Sequence, residues 1–342
     1  MNPITHLLEI DRLQTVFWNG REEVAAIEDV SFSLRAGETI GIVGESGCGK
    51  SVTSLSIMRL LGQNGRIRRG EIRFNSRNLV AESEKELRSL RGKEIAMIFQ
   101  EPMTSLNPVL TIGHQLVEMI RCHTSLSRRE AKAYAMEMLK KVGLPQAKDL
   151  MSVYPHTLSG GMRQRIMIAM ALSCKPRLLI ADEPTTALDV TIQAQILELM
   201  KSLRKESGAA IMLITHDLGV VAEMADRVVV MYAGQIVEEA DVFTLFREPK
   251  HPYTQGLMAS IPRVQGENER LRAIPGTVPS IRKMPKGCRF HTRCEWAAER
   301  CRQEQPQLES VGGEHQVRCW IVQEQASPLP VSANFQHQEA GV

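Results

Sequence analysis

Short apolar segments alternate with longer amphipathic segments over most of this chain. The apolar segments are rich in β-branched residues and have the length of buried strands: 39–43, 95–99, 177–182 and 209–215. The amphipathic segments repeat apolar residues at helical spacing: 52–61, 111–142, 162–174 and 190–205. Because strands that alternate with helices build parallel sheets covered by helices, the pattern predicts an α/β fold.

Three parts of the chain depart from this alternation. Short β-type runs near 8–10 and 30–34 predict an antiparallel layer ahead of the core. The stretch 101–175 enters through a loop with two prolines and is mainly helical, so it predicts a helical subdomain inserted into the core. Prolines predict an irregular segment after the core. The predicted domains are 1–100 with 176–248 as the core, 101–175 as the helical subdomain, 249–321 as a C-terminal domain and 322–342 as a disordered tail.

Residues 44–51 read GESGCGKS, which fits a phosphate-binding loop between a predicted strand and a predicted helix. Glycines let the backbone turn tightly, so that successive N–H groups point into a phosphate at the helix N-terminus. Lys50 is expected to reach the β- and γ-phosphates, and Ser51 to supply one oxygen ligand to magnesium. Because a thiol at a helix N-terminus has a lowered pKa, Cys48 is also expected to be reactive. The predicted nucleotide-binding residues of this loop are Gly44, Ser46, Gly47, Cys48, Gly49, Lys50, Ser51 and Val52.

Two acids stand at the end of the predicted strand 177–182, Asp182 as its last residue and Glu183 directly after it, and they suggest a metal-assisted reaction. A carboxylate delivered beside a phosphate loop is how such folds hold magnesium, so Asp182 is the expected ligand on the metal side. Glu183 is then in a position to polarise the attacking water. The alternative is that the two acids only cap the turn that follows them.

The start of the helical segment 162–174 predicts a second anion site. Ser159 is a good N-cap, and Gly160 and Gly161 leave the backbone N–H groups of the helix end open. Two phosphate sites in one chain require an explanation, which the resemblance described below supplies.

Two further side chains lie where a nucleotide could meet them. His216 follows the predicted strand 209–215, and although a lone histidine is usually structural, this one could hydrogen-bond a γ-phosphate. Phe17 and Trp18 lie near the end of the first β-type segment. There an aromatic ring either stacks on a nucleobase or packs in the protein interior, and the sequence leaves both alternatives open.

Composition and charge narrow the class of protein. The chain is 43% hydrophobic and 24% charged, as ordinary globular proteins are, and its formal net charge of +3 argues against a primary nucleic-acid binder. No run approaches the roughly 18 to 20 apolar residues that cross a membrane. Glu9 and Asp11 interrupt the N-terminal segment, so no signal peptide is expected. We therefore expect a cytosolic protein whose seven cysteines are thiols or metal ligands.

These motifs, in this order, resemble those of the ATP-binding subunits of ABC transporters. The resemblance identifies 44–51 as the Walker A loop, 158–164 as the signature motif and 177–183 as the Walker B strand. It also assigns single positions: Gln100 to the Q-loop, Asp189 to the D-loop, His216 to the switch histidine, and Phe17, or else Trp18, to the aromatic residue that stacks on adenine. It implies catalytic roles for Glu183, His216 and Gln100, and magnesium contacts for Ser51, Gln100 and Asp182.

The resemblance implies an assembly as well. In this family two cassettes pair head to tail, and the helix end at 159–161 of one subunit contacts ATP on the Walker A loop of the other. The wording of the segments 154–156, 185–195 and 251–254 is similar to that of the dipeptide and oligopeptide importer branch. The implied partners are a second related ATPase, two transmembrane permease subunits and an extracytoplasmic solute-binding protein, with no nucleic acid.

The function implied is ATP hydrolysis that powers the import of dipeptides or oligopeptides at the cytoplasmic face of the cell membrane, with ATP and Mg²⁺ as cofactors. Nickel and glutathione are also carried within this branch, so the solute stays open. A soluble ABC ATPase that acts on nucleic acid and an export ATPase are the alternatives.

Four of the seven cysteines fall together in the predicted C-terminal domain: Cys288, Cys294, Cys301 and Cys319. Clustered thiols in a cytosolic protein favour a metal site over disulfides, although the spacing lacks the paired C-x-x-C of a zinc ribbon. Arginines beside these cysteines are expected to offset the charge of four thiolates. The peptide-importer branch carries a similar cysteine tail associated with a [4Fe-4S] cluster. The resemblance therefore implies an iron–sulfur site, with zinc or no metal as alternatives.

Overall fold

The computed structural model describes residues 6–100, 105–185, 188–260 and 273–324, with the side chain of Leu203 excepted. Its strands are β1 (His6–Trp18), β2 (Glu23–Arg35), β3 (Thr39–Val43), β4 (Gly65–Phe74), β5 (Arg77–Asn78), β6 (Ile95–Ile98), β7 (Leu178–Asp182), β8 (Ala210–Ile214), β9 (Arg227–Tyr232), β10 (Gln235–Asp241), β11 (Glu309–Gly312) and β12 (His315–Val317). Its helices are α1 (Lys50–Ile57), α2 (Glu84–Leu90), α3 (Ile112–His123), α4 (Arg128–Lys141), α5 (Ala147–Leu150), α6 (Gly160–Ser173), α7 (Val190–Ser207), α8 (Leu218–Met224), α9 (Val242–Arg247), α10 (Pro252–Ala259), α11 (Glu299–Gln303) and α12 (Trp320–Glu324). None of these helices is long and apolar enough to cross a membrane.

The central sheet has eight strands within the described residues, in the order β11-β12-β10-β9-β3-β8-β7-β6. Strands β9, β3, β8, β7 and β6 run parallel, and every residue in them is buried. Both features are typical of a sheet that is covered on its two faces, and they confirm the predicted α/β fold. Because the carboxyl ends of parallel strands meet at one edge, the loops after β3, β6, β7 and β8 open at the same edge of this sheet.

A second, antiparallel sheet has the order β2-β1-β4-β5 and is the layer that the N-terminal pattern predicts. Buried residues of β1 and β2, among them Leu13 and Ile27, share one hydrophobic core with Ile40 and Ile42 of β3. The layer is therefore packed directly on the strand that leads into the phosphate-binding loop.

Helices α3 to α6 form the predicted helical subdomain between β6 and β7. Threonine or serine caps three of them: the side chains of Thr111, Ser127 and Ser159 each accept a hydrogen bond from a backbone N–H in the first turn. Leu116 and Leu139 of these helices lie in the same core cluster as Leu179 and Leu213 of the sheet. The subdomain is thus held on the sheet by apolar packing.

The C-terminal region is more closely joined to the core than an irregular separate domain would be. It does contain loops, but β12 pairs with β10 and so extends the central sheet. The buried carboxylate of Glu238 in β10 accepts hydrogen bonds from the backbone N–H groups of Lys250 and His251, and pairs with His315 in β12 at 2.7 Å. The predicted tail 322–342 begins within α12, and its residues 325–342 lie outside the described part of the chain.

Candidate active site

The phosphate-binding loop joins β3 to α1 as the sequence predicts. Gly44 has a φ of 150°, and a Cβ at this position would lie 2.2 Å from the carbonyl oxygen of Met231, so only glycine fits. Gly49 has a φ of 105° and is the N-cap of α1. The Lys50 ammonium donates to the carbonyl oxygens of Gly44 and Glu45, at 2.7 and 3.1 Å. The loop thus surrounds a buried positive charge at a helix N-terminus, which suits a phosphate.

Cys48 differs from the sequence-based expectation. Its side chain is fully buried, and burial raises the pKa of the thiol, although the nearby Lys50 ammonium acts in the opposite direction. The prediction of a reactive thiolate was wrong, because desolvation outweighs the helix end and the adjacent cation here. Cys48 therefore contributes packing to the loop, with its sulfur 2.7 Å from where a Cβ of Gly44 would lie.

Asp182 ends β7 beside the loop. Its side chain is buried, burial raises the pKa of the carboxyl group, and a hydrogen bond with the Ser51 side chain opposes that shift. The Oδ1 atom of Asp182 is buried without a hydrogen-bond partner among the described residues. An unpaired buried carboxylate oxygen is costly unless a cation or a donor binds it. A hydroxyl and a carboxylate oxygen are ligands that Mg²⁺ prefers, so the donor set fits the predicted metal.

Three different strand ends supply the predicted catalytic residues Glu183, Gln100 and His216. The side chains of Gln100 and His216 both contact the carboxylate of Glu183. The Nε2 of Gln100 lies 3.3 Å from one oxygen of Glu183, and the Nδ1 of His216 lies 3.3 Å from the other. Glu183 has a φ of 49°, a left-handed conformation that is uncommon for a non-glycine residue, and its N–H donates to the carbonyl of Ile214. The three residues predicted to be catalytic are therefore neighbours in space.

The predicted second anion site lies at the start of α6. Ser159 accepts from the N–H of Met162 at 3.3 Å, and both Ser159 and Gly160 are exposed. A Cβ at Gly160 would meet no atom within 4 Å, so the backbone there is open to an approaching group. The buried side chain of Gln164 donates to the carbonyl of Pro184 at 2.8 Å, which ties this helix to the loop after β7.

The remaining predicted residues occupy different environments. Asp189 is the N-cap of α7 and accepts from the N–H of Ile192 at 2.9 Å. The Phe17 ring is half-buried and packs against Gly65, whereas 51% of Trp18 is exposed. Both aromatic residues lie at the end of β1, so the choice of adenine-stacking residue stays a prediction in favour of Phe17.

Sequence reasoning missed a link between this loop and the C-terminal region. The carboxylate of Glu45 pairs with the Arg293 guanidinium at 2.6 and 3.0 Å, and the N–H of Glu45 donates to the Tyr253 hydroxyl at 2.9 Å. Arg289, likewise beside a cysteine, pairs with Glu28, and Arg318 pairs with Asp29. Each of these three arginines is thus paired with a carboxylate of the core.

The four C-terminal cysteines line one cavity together with His251 and Phe290. Burial raises the pKa of Cys288 to about 11 and that of Cys294 to about 12, so both are protonated near neutrality when no metal is bound. Within the described ranges, no three His, Cys, Asp or Glu side chains are grouped closely enough to hold a metal ion. The four cysteines thus line one cavity, but the structure shows no metal site in the part of the chain that it describes.

Comparisons with known proteins agree with this geometry. Residues 27–186 match the family model described as ABC transporter, and residues 237–301 match the one described as oligopeptide/dipeptide transporter, C-terminal region. The chain is 53% identical to the oligopeptide transport ATP-binding protein AppD of Bacillus subtilis strain 168, over 94% of this chain and 98% of that protein. It is 49% identical to the dipeptide transport ATP-binding protein DppD of Escherichia coli K12, over 92% and 96% of the two chains.

Solved structures lead to the same family. The dimeric ATP-binding cassette MJ0796, in a post-hydrolysis state with ADP and Pi, superposes with a TM-score of 0.63 at 28% identity, covering 69% of this chain and 98% of that one. Another dimeric structure of MJ0796, described as a bacterial ABC transporter cassette, has the same TM-score and identity. Relatives of this identity and coverage, together with the ordered nucleotide motifs, show that the chain belongs to the ABC transporter family, as an ATP-hydrolysing subunit with the oligopeptide/dipeptide type of C-terminal region.

Proposed function

We propose that this chain hydrolyses ATP to power the import of dipeptides or oligopeptides across the cell membrane, from the cytoplasmic side. The match of residues 237–301 to the oligopeptide/dipeptide transporter C-terminal region carries this proposal, because that region distinguishes this branch from other cassettes. It also favours peptide import over export and over a nucleic-acid function. Permease subunits supply the membrane-spanning path, a solute-binding protein delivers the solute, and nickel or glutathione remain alternative solutes within the branch.

Two cassettes then form the complete catalytic site. ATP binds on the 44–51 loop of one subunit, and the exposed α6 end with Ser159 and Gly160 of the other subunit contacts its phosphates. We propose that the partner cassette is a second, related ATPase. The openness of the α6 end supports a contact made from outside the chain, since Ser159 and Gly160 are exposed and a Cβ at Gly160 would meet no atom within 4 Å.

Within the closed site, Ser51 and Asp182 would hold the magnesium ion, which when bound would neutralise charge on the phosphates. Glu183 accepts a proton from the attacking water, and Gln100 and His216 fix the orientation of its carboxylate. Gln100 would also contribute to holding the magnesium ion, and His216 would hydrogen-bond the γ-phosphate. Asp189 holds the start of α7 next to the interface.

For the cysteine cavity we propose a [4Fe-4S] cluster bound by Cys288, Cys294, Cys301 and Cys319. Each thiolate of such a cluster binds a different iron atom, so four cysteines around one cavity suit it better than they suit a single zinc ion, whose ligands surround one point. Binding of the cluster requires that the thiols lose their protons, whereas burial favours the protonated thiols when no metal is bound. The role we propose for the cluster is a structural or regulatory one, not redox catalysis.

Transport by the assembled complex tests the main proposal. The chain, co-expressed with its permease and ATPase partners and placed in proteoliposomes, should take up labelled dipeptide only with ATP and solute-binding protein. A Glu183→Gln complex serves as the inactive control. ATPase activity that responds to nucleic acid and not to peptide would overturn the import assignment.

Metal analysis tests the cluster separately. Protein purified without oxygen should contain about four iron and four sulfide per chain and absorb visible light, and a Cys294→Ser variant should lose both signals. The matched control is Cys122→Ser, an exposed cysteine of α3 outside the cavity. Stoichiometric zinc, or no metal in the wild type, contradicts the cluster and leaves the ATPase assignment unaffected.

A further inference from the structure

The Walker A loop contains an acidic residue, Glu45, whose negative charge is expected to weaken the binding of a nucleotide. Glu45 directly follows Gly44, so its carboxylate belongs to a loop that receives the negative charges of ATP. A carboxylate near a phosphate weakens phosphate binding by like-charge repulsion unless a cation is paired with it. Lys50 is a nearby cation in the same loop, but its ammonium group donates to backbone carbonyl oxygens and does not pair with the Glu45 carboxylate.

The cation that pairs with Glu45 comes from the C-terminal region, 248 residues further along the chain. Arg293 meets both carboxylate oxygens, and its own side chain is only 3% exposed, against 30% for Glu45. Two parallel N–H donors on one carboxylate give this pair a fixed geometry. The guanidinium is further held by the carbonyl oxygens of Pro275 and Ile274 and lies over the Tyr232 ring.

A second contact fixes the backbone of the same loop residue. The hydroxyl of Tyr253, a fully buried residue of α10, accepts the N–H of Glu45. The Tyr253 ring packs with the rings of Tyr232 and Phe290, at centroid distances of 4.7 and 5.4 Å. Phe290 in turn lines the cysteine cavity, so a continuous set of contacts runs from that cavity to the Walker A loop.

We infer that Arg293 is a positioning residue for ATP: it neutralises the negative charge that Glu45 places in the Walker A loop, which makes the C-terminal region a part of the nucleotide site. The inference rests on nucleotide binding at residues 44–51 and not on the identity of the solute. Failure of peptide transport in the assay above would leave it intact.

The test measures dissociation constants of ATP and ADP, with magnesium, by calorimetry on the purified full chain. Arg293→Gln should weaken ATP binding about tenfold, because it leaves Glu45 as an unpaired charge in the loop. Glu45→Gln alone should bind ATP more tightly than the wild type, because it removes the repelling carboxylate and leaves the Arg293 cation in place. The double variant Glu45→Gln/Arg293→Gln should recover most of the affinity, since no uncompensated carboxylate remains.

Two controls separate charge from fold. Arg302→Gln, an exposed arginine that also adjoins a cysteine, should leave the affinity unchanged. Arg293→Lys keeps the charge but not the two parallel donors, and should fall between wild type and Arg293→Gln. Thermal unfolding of every variant identifies misfolded protein, and if Arg293→Gln does not fold, Glu45→Gln and Arg293→Lys decide the question. Wild-type affinity in Arg293→Gln, or a double variant as weak as Arg293→Gln, overturns the inference, as does a clear loss of affinity in Glu45→Gln.

Discussion

The Glu183 carboxylate receives one neighbour on each oxygen, and the backbone of the same residue is held by Ile214. A general base must keep its orientation while a water molecule approaches, and the contacts with Gln100 and His216, each at 3.3 Å, hold the carboxylate from both sides. The left-handed φ of 49° is consistent with a site where the surrounding structure imposes an unfavourable conformation. The geometry of the Glu183 carboxylate therefore depends on the relative positions of the ends of β6, β7 and β8.

Replacing Glu183 by Gln should separate ATP binding from hydrolysis. The amide has nearly the same shape and keeps its neighbours, but it cannot accept the proton of the attacking water, so turnover should fall by about 10²- to 10⁴-fold. ATP-bound cassettes should stay paired, which size-exclusion chromatography of the assembled ATPase pair would detect. Glu206→Gln, an exposed acid of α7, is the control. Near-normal turnover of Glu183→Gln contradicts the proposed role.

Phe17 and Trp18 can be distinguished by single substitutions. Loss of a stacked aromatic ring costs about 1–3 kcal/mol per base, so Phe17→Ala should weaken ATP binding about tenfold. Trp18→Ala should have a smaller effect, and the two titrations are measured side by side. The opposite ranking would assign the stacking role to Trp18, the more exposed ring.

At the scale of elements, α6 combines an ordinary helix cap with the predicted contact to ATP of the partner cassette. Ser159→Ala and Ser127→Ala each remove a serine N-cap, from α6 and α4, and each should cost about 1 kcal/mol of stability. Only Ser159→Ala should reduce ATP hydrolysis by the paired cassettes, with ATP binding to the isolated chain unchanged. Equal ATPase activity of the two variants would mean that Ser159 is a cap and nothing more.

Helix α10 depends on a histidine that must be neutral. The Nδ1 atom of His251 caps the helix by accepting a hydrogen bond from the N–H of Tyr253. Burial lowers the pKa of His251 to about 4, although the nearby Glu238 carboxylate acts to raise it. A lowered histidine pKa gives stability that is present above the unfolded value of about 6.5 and is lost as the pH falls towards 4.

The melting temperature should therefore drop over that pH range. His251→Asn, which keeps a capping oxygen without a titrating ring, should flatten part of the decrease, whereas His114→Asn on the exposed face of α3 should not. A pH profile of His251→Asn that is identical to the wild type would show that other groups cause the acid sensitivity.

The sequence predicted those elements that are defined by local patterns. Buried parallel strands such as β3 and β7 are continuous apolar runs, and the loop between β3 and α1 has a spacing of glycines that its geometry requires. Strands β11 and β12 were not predicted, because they are short and partly polar and depend on pairing with distant or equally short segments: β12 pairs with β10, and β11 pairs with β12. The Arg293–Glu45 pair was equally inaccessible, since a contact between single charged residues 248 positions apart has no periodic signal.

At the scale of the whole molecule, the contacts at Glu45 predict that nucleotide binding reaches the C-terminal region. Saturating ATP should slow amide hydrogen exchange in α10 and around Arg293 as well as in the loop 44–51, because Tyr253 and Arg293 are fixed to that loop. AMP, which lacks the β- and γ-phosphates, is the control ligand. Protection confined to the core would contradict this coupling.

The order of strands in the central sheet has a consequence for the synthesis of the protein. Strand β10 is translated about eighty residues before β12 pairs with it, so during elongation one edge of a nearly complete sheet has no neighbour. An open strand edge is a template for association with other chains. Products of premature termination between β10 and β12 should therefore aggregate or be degraded, and only a chain that includes β12 has a partner on both edges of β10.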